Sequence, residues 1–297
     1  MTGVAFLEAL GLGAAFAGAM YLWPNERQSL YARDKPYNIR RRLVSMCGVC
    51  VAGLVYYRHK SAPSGERFVE TVADLMVGHP ENHASLPSQI GSAVSLTGVL
   101  FLGVLATHAV ERYQRIESVS PVAHVKDIVH ELRSNVLCWT GLRNYIAAPA
   151  VEELYFRAIV FRLLRGEGPV STWRLLTLSS VVFASAHLHH MYRYYWENIT
   201  CDFATRQVAI KRAVQRSMMD FAITFTFGYF GGFIFLLNRE SVLAATVGHM
   251  LCNYLGAPGV DHLRFKSPTK HVVSLLYLVG IAGFVAQAVS LSRSGLQ

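Results

Sequence analysis

The chain has 297 residues, of which 52% are hydrophobic and only 16% charged, with a formal net charge of +9 and a mean hydropathy of +0.30. That balance argues against an ordinary water-soluble domain, and it makes a lipid bilayer the expected partner. The positive charge needs no nucleic acid, because an anionic cytosolic leaflet attracts Lys and Arg equally well.

Eight apolar stretches follow in chain order, beginning with Gly3 to Trp23. No Lys or Arg precedes that first run and it contains Glu8, so it reads as a span rather than a cleaved signal peptide. The others are Leu43 to Tyr57, Ile90 to Val110, Tyr145 to Leu164, Leu175 to His187, Phe221 to Leu237, Val242 to Leu255 and Val272 to Ser290. Several reach the ~20 residues of a bilayer crossing. Leu43 to Tyr57, Leu175 to His187 and Val242 to Leu255 are shorter, and are expected to tilt, recess or extend through polar residues. The alternation of a β-barrel is absent. The expected fold is therefore all-α: a single polytopic membrane domain over residues 1–297, with about eight transmembrane helices around an intramembrane cavity. Ser61 to Pro87 is rich in turn residues and is expected to be a loop with a short interfacial helix. The five cysteines are scattered and odd in number; Cys47 and Cys50 form a C-x-x-C inside an apolar run, where packing outweighs redox or zinc chemistry.

If the amino terminus is lumenal, 19 of the 28 Lys and Arg fall in the loops that then face the cytosol, at 24–42, 111–143, 188–220 and 261–271. This bias follows the positive-inside rule. The one N-x-S/T sequon, at Asn198, then lies in a cytosolic loop.

Within Tyr145 to Leu164 stand three ionisable residues, Glu152, Glu153 and Arg157. Three charges near a span centre cost roughly 8 to 10 kcal/mol before pairing, so they need partners or a polar cavity. Glu153 and Arg157, four apart, can pair along one helix face, which leaves Glu152 to face a cavity. In the expected topology Glu152, His187, His249 and Asn253 all fall at similar depth, in the cytosolic half of the membrane. His249 and Asn253 are four apart and share a face. Gly228 and Gly232 form a G-x-x-x-G that serves close helix packing, or else a cavity wall.

The residues Glu152-Glu153-Leu-Tyr-Phe-Arg157, Phe183-Ala-Ser-Ala-His187 and His249-Met-Leu-Cys-Asn253 resemble, in order, the E-E-x-x-x-R, F-x-x-x-H and H-x-x-x-N motifs of the CAAX prenyl endopeptidase family of intramembrane proteases. The flanking stretches over residues 143–260 are similar to its type II eukaryotic members. The resemblance implies removal of the last three residues from farnesylated or geranylgeranylated C-a-a-X proteins, in the endoplasmic reticulum membrane, with the active site toward the cytosol. It implies Glu152 as the base that activates water, His187 as its helper, and His249 and Asn253 as oxyanion donors. Glu153, Arg157 and Phe183 support them, although the sequence leaves an exchange of the two glutamates' roles open. It also implies a metal-free mechanism. Two alternatives stand beside it: a zinc protease using the same Glu and His residues, although no H-E-x-x-H occurs, and a noncatalytic transporter or scaffold. Cys252 is expected on a different helix face from His249 and Asn253.

Overall fold

The computed structural model describes residues 3–23, 34–61, 85–116, 132–166 and 170–295, with isolated positions at 76, 126 and 130. Most of the expected loop between Ser61 and Pro87 lies outside the described residues. Every regular element among those described is helical. The longer ones are α1 (Gly3–Ala19), α2 (Pro36–Ser61), α3 (Leu86–Leu100), α4 (Leu102–Ile116), a compound helix α5 over 139–165, α6 (Thr172–His187), α7 (His190–Thr200), α8 (Arg206–Leu237), α9 (Val242–Leu255) and α10 (Thr269–Gly295).

Among the described residues two helices, α8 and α10, are long and apolar enough to cross a membrane, and α3 with α4 makes a third if the bent pair is one span. At 32 residues, α8 is about 48 Å long, well over the ~30 Å hydrocarbon thickness. Its first turns carry Arg206, Lys211, Arg212 and Arg216, so the excess length is polar. The straight crossing expected over Ile90 to Val110 is instead broken, with a bend of 72° between α3 and α4. Phe101 carries the break, at φ −92° and ψ 16°, and its N–H still reaches Thr97 O. The expected loop over 188–220 is also different: α7 and the first half of α8 form a helical hairpin. Tyr194 ties its two arms together, hydrogen-bonding to Asp220 beneath the Arg216 guanidinium. Asn198 lies on α7, and its amide donates to Tyr194 O at 2.7 Å.

Helix α5 is the axis of the molecule. From Tyr155 to Phe161 every residue is buried, Arg157 included, which identifies a central helix rather than an amphipathic surface one. Around it gather Phe16 of α1, Cys50 of α2, Leu176 and Phe183 of α6 and Phe235 of α8. A second apolar cluster joins Leu96 and Phe101 to Phe230, Ile234 and Ala244. Phe227 packs against both clusters.

Glycines set the closest approaches. A Cβ on Gly228 would stand 3.2 Å from the Phe183 ring, and one on Gly232 would stand 2.9 Å from Leu176 Cδ2, so this pair serves close packing of α8 on α6. Gly280 of α10 lies against the α3–α4 break, where a Cβ would stand 2.6 Å from Val99 O. A backbone carbonyl cannot swing aside as a side chain can. Gly280→Ala is therefore expected to destabilise the detergent-solubilised protein by about 1–3 kcal/mol, read as a lower thermal unfolding midpoint. Gly98→Ala, with nothing within 4 Å of the new methyl, is expected to leave it unchanged or slightly raised.

Candidate active site

The first two site residues owe their presentation to an irregularity in α5. Pro149 has no N–H to offer the carbonyl of Tyr145, four residues back, and the helix widens into a π-helical turn over Arg143–Ala147. Normal α-helix resumes over Ala148–Glu153, and a second π segment spans Leu154–Phe161. Each widening rotates the residues beyond it relative to a regular helix. Glu152 and Glu153 sit in the short α stretch between them, and adjacent positions on a helix point about 100° apart.

The two carboxylates face different surroundings. Glu153 is fully buried, and its Oε2 accepts from Arg157 Nε at 2.7 Å. Its Oε1 lies 2.9 Å from His249 Nδ1. The two terminal nitrogens of Arg157 are buried without hydrogen-bond partners; the guanidinium lies over the Phe183 ring, 5.4 Å from its centroid. Glu152 retains 16% side-chain exposure and points its Oε2 between two imidazoles, 4.0 Å from His187 Nε2 and 3.8 Å from His249 Nε2.

The far side of each ring fixes its proton. His187 Nδ1 is 2.8 Å from the Phe183 carbonyl, and a carbonyl oxygen only accepts, so Nδ1 carries hydrogen. In the neutral ring Nε2 then presents a lone pair toward Glu152. His249 Nδ1 likewise donates to the Glu153 carboxylate, so its Nε2 is a donor only when the ring holds both protons. Phe183 and Phe227 pack on the two imidazoles, with centroids 4.6 Å from His187 and 4.4 Å from His249.

Asn253, one turn beyond His249 on α9, donates one amide hydrogen to Asn144 O at 3.0 Å and has a second to give. Tyr254 beside it stacks edge-on against Tyr145. The structure thus brings together all four residues singled out as a site, and adds contacts the sequence did not reveal: the Glu153–His249 bond, the Asn144–Asn253 bond, and the ring of Phe227.

Glu152, His187, His249 and Asn253 all line one cavity of about 1010 Å³. Cys252, expected on a different helix face from His249 and Asn253, also lines it. A cavity of this size wraps more than one face of α9, so a residue 100° round from its neighbours still meets it. Much of the rest is apolar, including Met46 of α2, Leu100 and Phe101 at the helix break, Phe230 of α8 and Ile281 of α10. Among the described residues no three His, Cys, Asp or Glu side chains stand in a metal-binding arrangement. The arrangement has the chemistry of a hydrolase: carboxylate and imidazole to deprotonate a water, imidazolium and carboxamide to receive an oxyanion, and apolar walls.

An all-helical membrane protein with a glutamate, two histidines and an asparagine gathered in one cavity belongs, by class, with the membrane-embedded hydrolases. Comparison with known proteins narrows this. Residues 134–255 match the family model described as type II CAAX prenyl endopeptidase Rce1-like. The chain is 25% identical over 291 residues to CAAX prenyl protease 2 of Homo sapiens, covering 95% of this chain and 79% of that protein. It is 33% identical over 156 residues to CAAX prenyl protease 2 of Arabidopsis thaliana, covering 51% of this chain and 43% of the relative. With the Saccharomyces cerevisiae protein of that name the identity is 23% over 276 residues, covering 87% and 82% respectively. No solved structure matches the chain. Over residues 134–255, and more weakly over most of its length, the chain is thus similar to the type II CAAX prenyl endopeptidases.

Proposed function

We propose that this protein is a CAAX prenyl endopeptidase, which releases the last three residues of prenylated C-a-a-X proteins by attack of a water that Glu152 deprotonates. The observation that carries the reading is the position of Glu152 Oε2, 3.8 and 4.0 Å from the two imidazole Nε2 atoms and on the wall of the shared cavity. These gaps are too long for direct hydrogen bonds but are a spacing that one water can bridge. In the proposed reaction Glu152 takes a proton from the water while the Nε2 lone pair of His187 holds it. The oxygen attacks the carbonyl of the prenylated cysteine, and the developing oxyanion is met by His249 Nε2–H and the second amide hydrogen of Asn253. The proton then passes to the departing amine as the C–N bond breaks, freeing the tripeptide. Arg157 and Glu153 act through His249, since the Glu153 carboxylate holds Nδ1 and turns Nε2 toward the reaction.

The prenyl chain explains the setting. Each buried CH2 contributes ~0.8 kcal/mol to membrane partitioning, so the scissile bond arrives at the bilayer already tethered. Apolar walls such as Leu100, Phe101, Phe230 and Ile281 suit the isoprenoid. Farnesylated and geranylgeranylated proteins are the proposed substrates. The proposed setting is the endoplasmic reticulum membrane, with one integral domain over 1–297, eight apolar segments in or across the bilayer, and the cavity open to the cytosol. The Lys and Arg bias supports that orientation. It predicts that Asn198, on the cytosolic hairpin, carries no glycan in native eukaryotic membranes; a glycan there would reverse the orientation.

The direct test is tripeptide release from a farnesylated C-a-a-X peptide by the purified protein, with and without a strong metal chelator. Release that survives chelation is expected. Loss on chelation, restored by zinc, would replace the glutamate mechanism with a metal-activated water.

A further inference from the structure

A substrate of the kind proposed above ends in a free carboxylate three residues from the cut, and an unpaired carboxylate is expensive to bring into a largely apolar cavity. The lining answers this with two guanidinium groups, Arg42 of α2 and Arg143 of α5. Arg143 is the better placed. Its side chain is only 13% exposed, and two charge-assisted bonds hold it: Nε donates to Asn144 Oδ1 at 2.9 Å, and Nη1 donates to Asp34 Oδ1 at 2.8 Å. A carboxylate is thus already the chemistry this guanidinium binds, and Asp34 is itself well exposed at the edge of the fold.

Two further observations tie Arg143 to the reacting groups. It stands nine residues before Glu152 on the same compound helix, at most about 13 Å along the axis at the 1.5 Å per residue of a regular α-helix. An extended tripeptide reaches about 10 Å, and the side chains at either end span the difference. The neighbouring residue, Asn144, accepts the amide hydrogen of Asn253 through its carbonyl, so the segment that carries the cation is fastened to the helix that carries the proposed oxyanion donors.

We propose that Arg143 binds the α-carboxylate of the substrate's last residue, with Arg42 reinforcing the positive field, and that this contact sets the cut at three residues from the end. The π-helical turn over Arg143–Ala147 serves the ruler, because it turns Arg143 onto the same cavity as Glu152. This inference deepens the proposed proteolytic reading and rests on it.

The test compares farnesylated C-a-a-X peptides bearing a free carboxylate, a carboxamide, or one extra carboxyl-terminal residue. The wild-type protein is expected to favour the free acid over the amide by about 30-fold in kcat/KM, about 2 kcal/mol at 1.4 kcal/mol per tenfold, chiefly through KM, and to cut the lengthened peptide poorly. Arg143→Gln is expected to cut acid and amide alike, at the rate the wild type shows on the amide, and to lose its discrimination of length. Asp34→Asn is expected to keep the preference for the acid. Equal cleavage of acid and amide by the wild type, a measurement that needs no variant, overturns the ruler while leaving the protease reading intact. So does an Arg143→Gln variant that keeps the preference, or one that loses both substrates equally. An Asp34→Asn variant that matches Arg143→Gln would reduce Arg143 to a structural partner of Asp34 and also overturn it. Failure of the wild type to cut any of the three peptides would remove the proteolytic reading itself, and the ruler with it.

Discussion

Glu152→Gln is expected to lower the turnover of a farnesylated C-a-a-X peptide by about 10²- to 10⁴-fold, the range over which a positioned general base contributes. The substitution keeps the shape of the side chain and removes its capacity to take a proton. Because Glu152 makes no direct hydrogen bond to either imidazole at 3.8 and 4.0 Å, the fold is expected to tolerate the change, with KM and the unfolding midpoint close to wild type. The loss belongs in kcat. Glu153→Gln provides the contrast, since that carboxylate bonds Arg157 and His249 and is fully buried. Its variant is expected to lose stability along with activity. If Glu153→Gln instead removed turnover from a protein of wild-type stability while Glu152→Gln remained active, the roles of the two glutamates would be exchanged.

Arg157→Met is expected to destabilise the protein by about 3–5 kcal/mol, because it strands the Glu153 carboxylate in the core. Both partners have no side-chain exposure, so neither water nor salt can substitute for the missing charge. The double variant Arg157→Met with Glu153→Gln removes the stranded charge as well, and is expected to recover much of the lost stability. It is not expected to recover activity, because His249 Nδ1 then lacks the carboxylate that turns its ring. Thermal unfolding of the four proteins in one detergent, taken as a double-mutant cycle, measures this coupling. A single Arg157→Met variant that unfolded at the wild-type temperature would mean that the pair contributes nothing to the fold.

Three charges in a segment otherwise suited to lipid were enough to call for a polar interior, and the four-residue spacing of Glu153 and Arg157 was enough to expect their pairing. The spacing of His249 and Asn253 placed them on one face of α9. These inferences depend on local periodicity, which the sequence carries directly. The break at Phe101 was not legible, because no Pro marks it and the residue packed against it, Gly280, comes from a helix far along the chain. The hairpin of α7 and α8 was hidden for a related reason. Its charged and aromatic residues read as a loop, whereas Tyr194 buries itself against α8 through a contact with Asp220.

What the sequence by itself determined is the medium, the helical class and the identity of the polar residues that cannot face lipid: desolvation is so costly in hydrocarbon that each buried charge announces a need for partners. The tertiary structure alone decided which partner each found. It gave Glu153 rather than Glu152 to His249, brought Asn144 to Asn253 and Arg143 to the cavity wall, and aimed the two imidazole Nε2 atoms at one carboxylate oxygen. Those choices turn on the rotation of α5 by its π segments and on the depth to which α6, α8 and α9 slide past it. Both are set by packing between residues about a hundred or more positions apart, which no local pattern records.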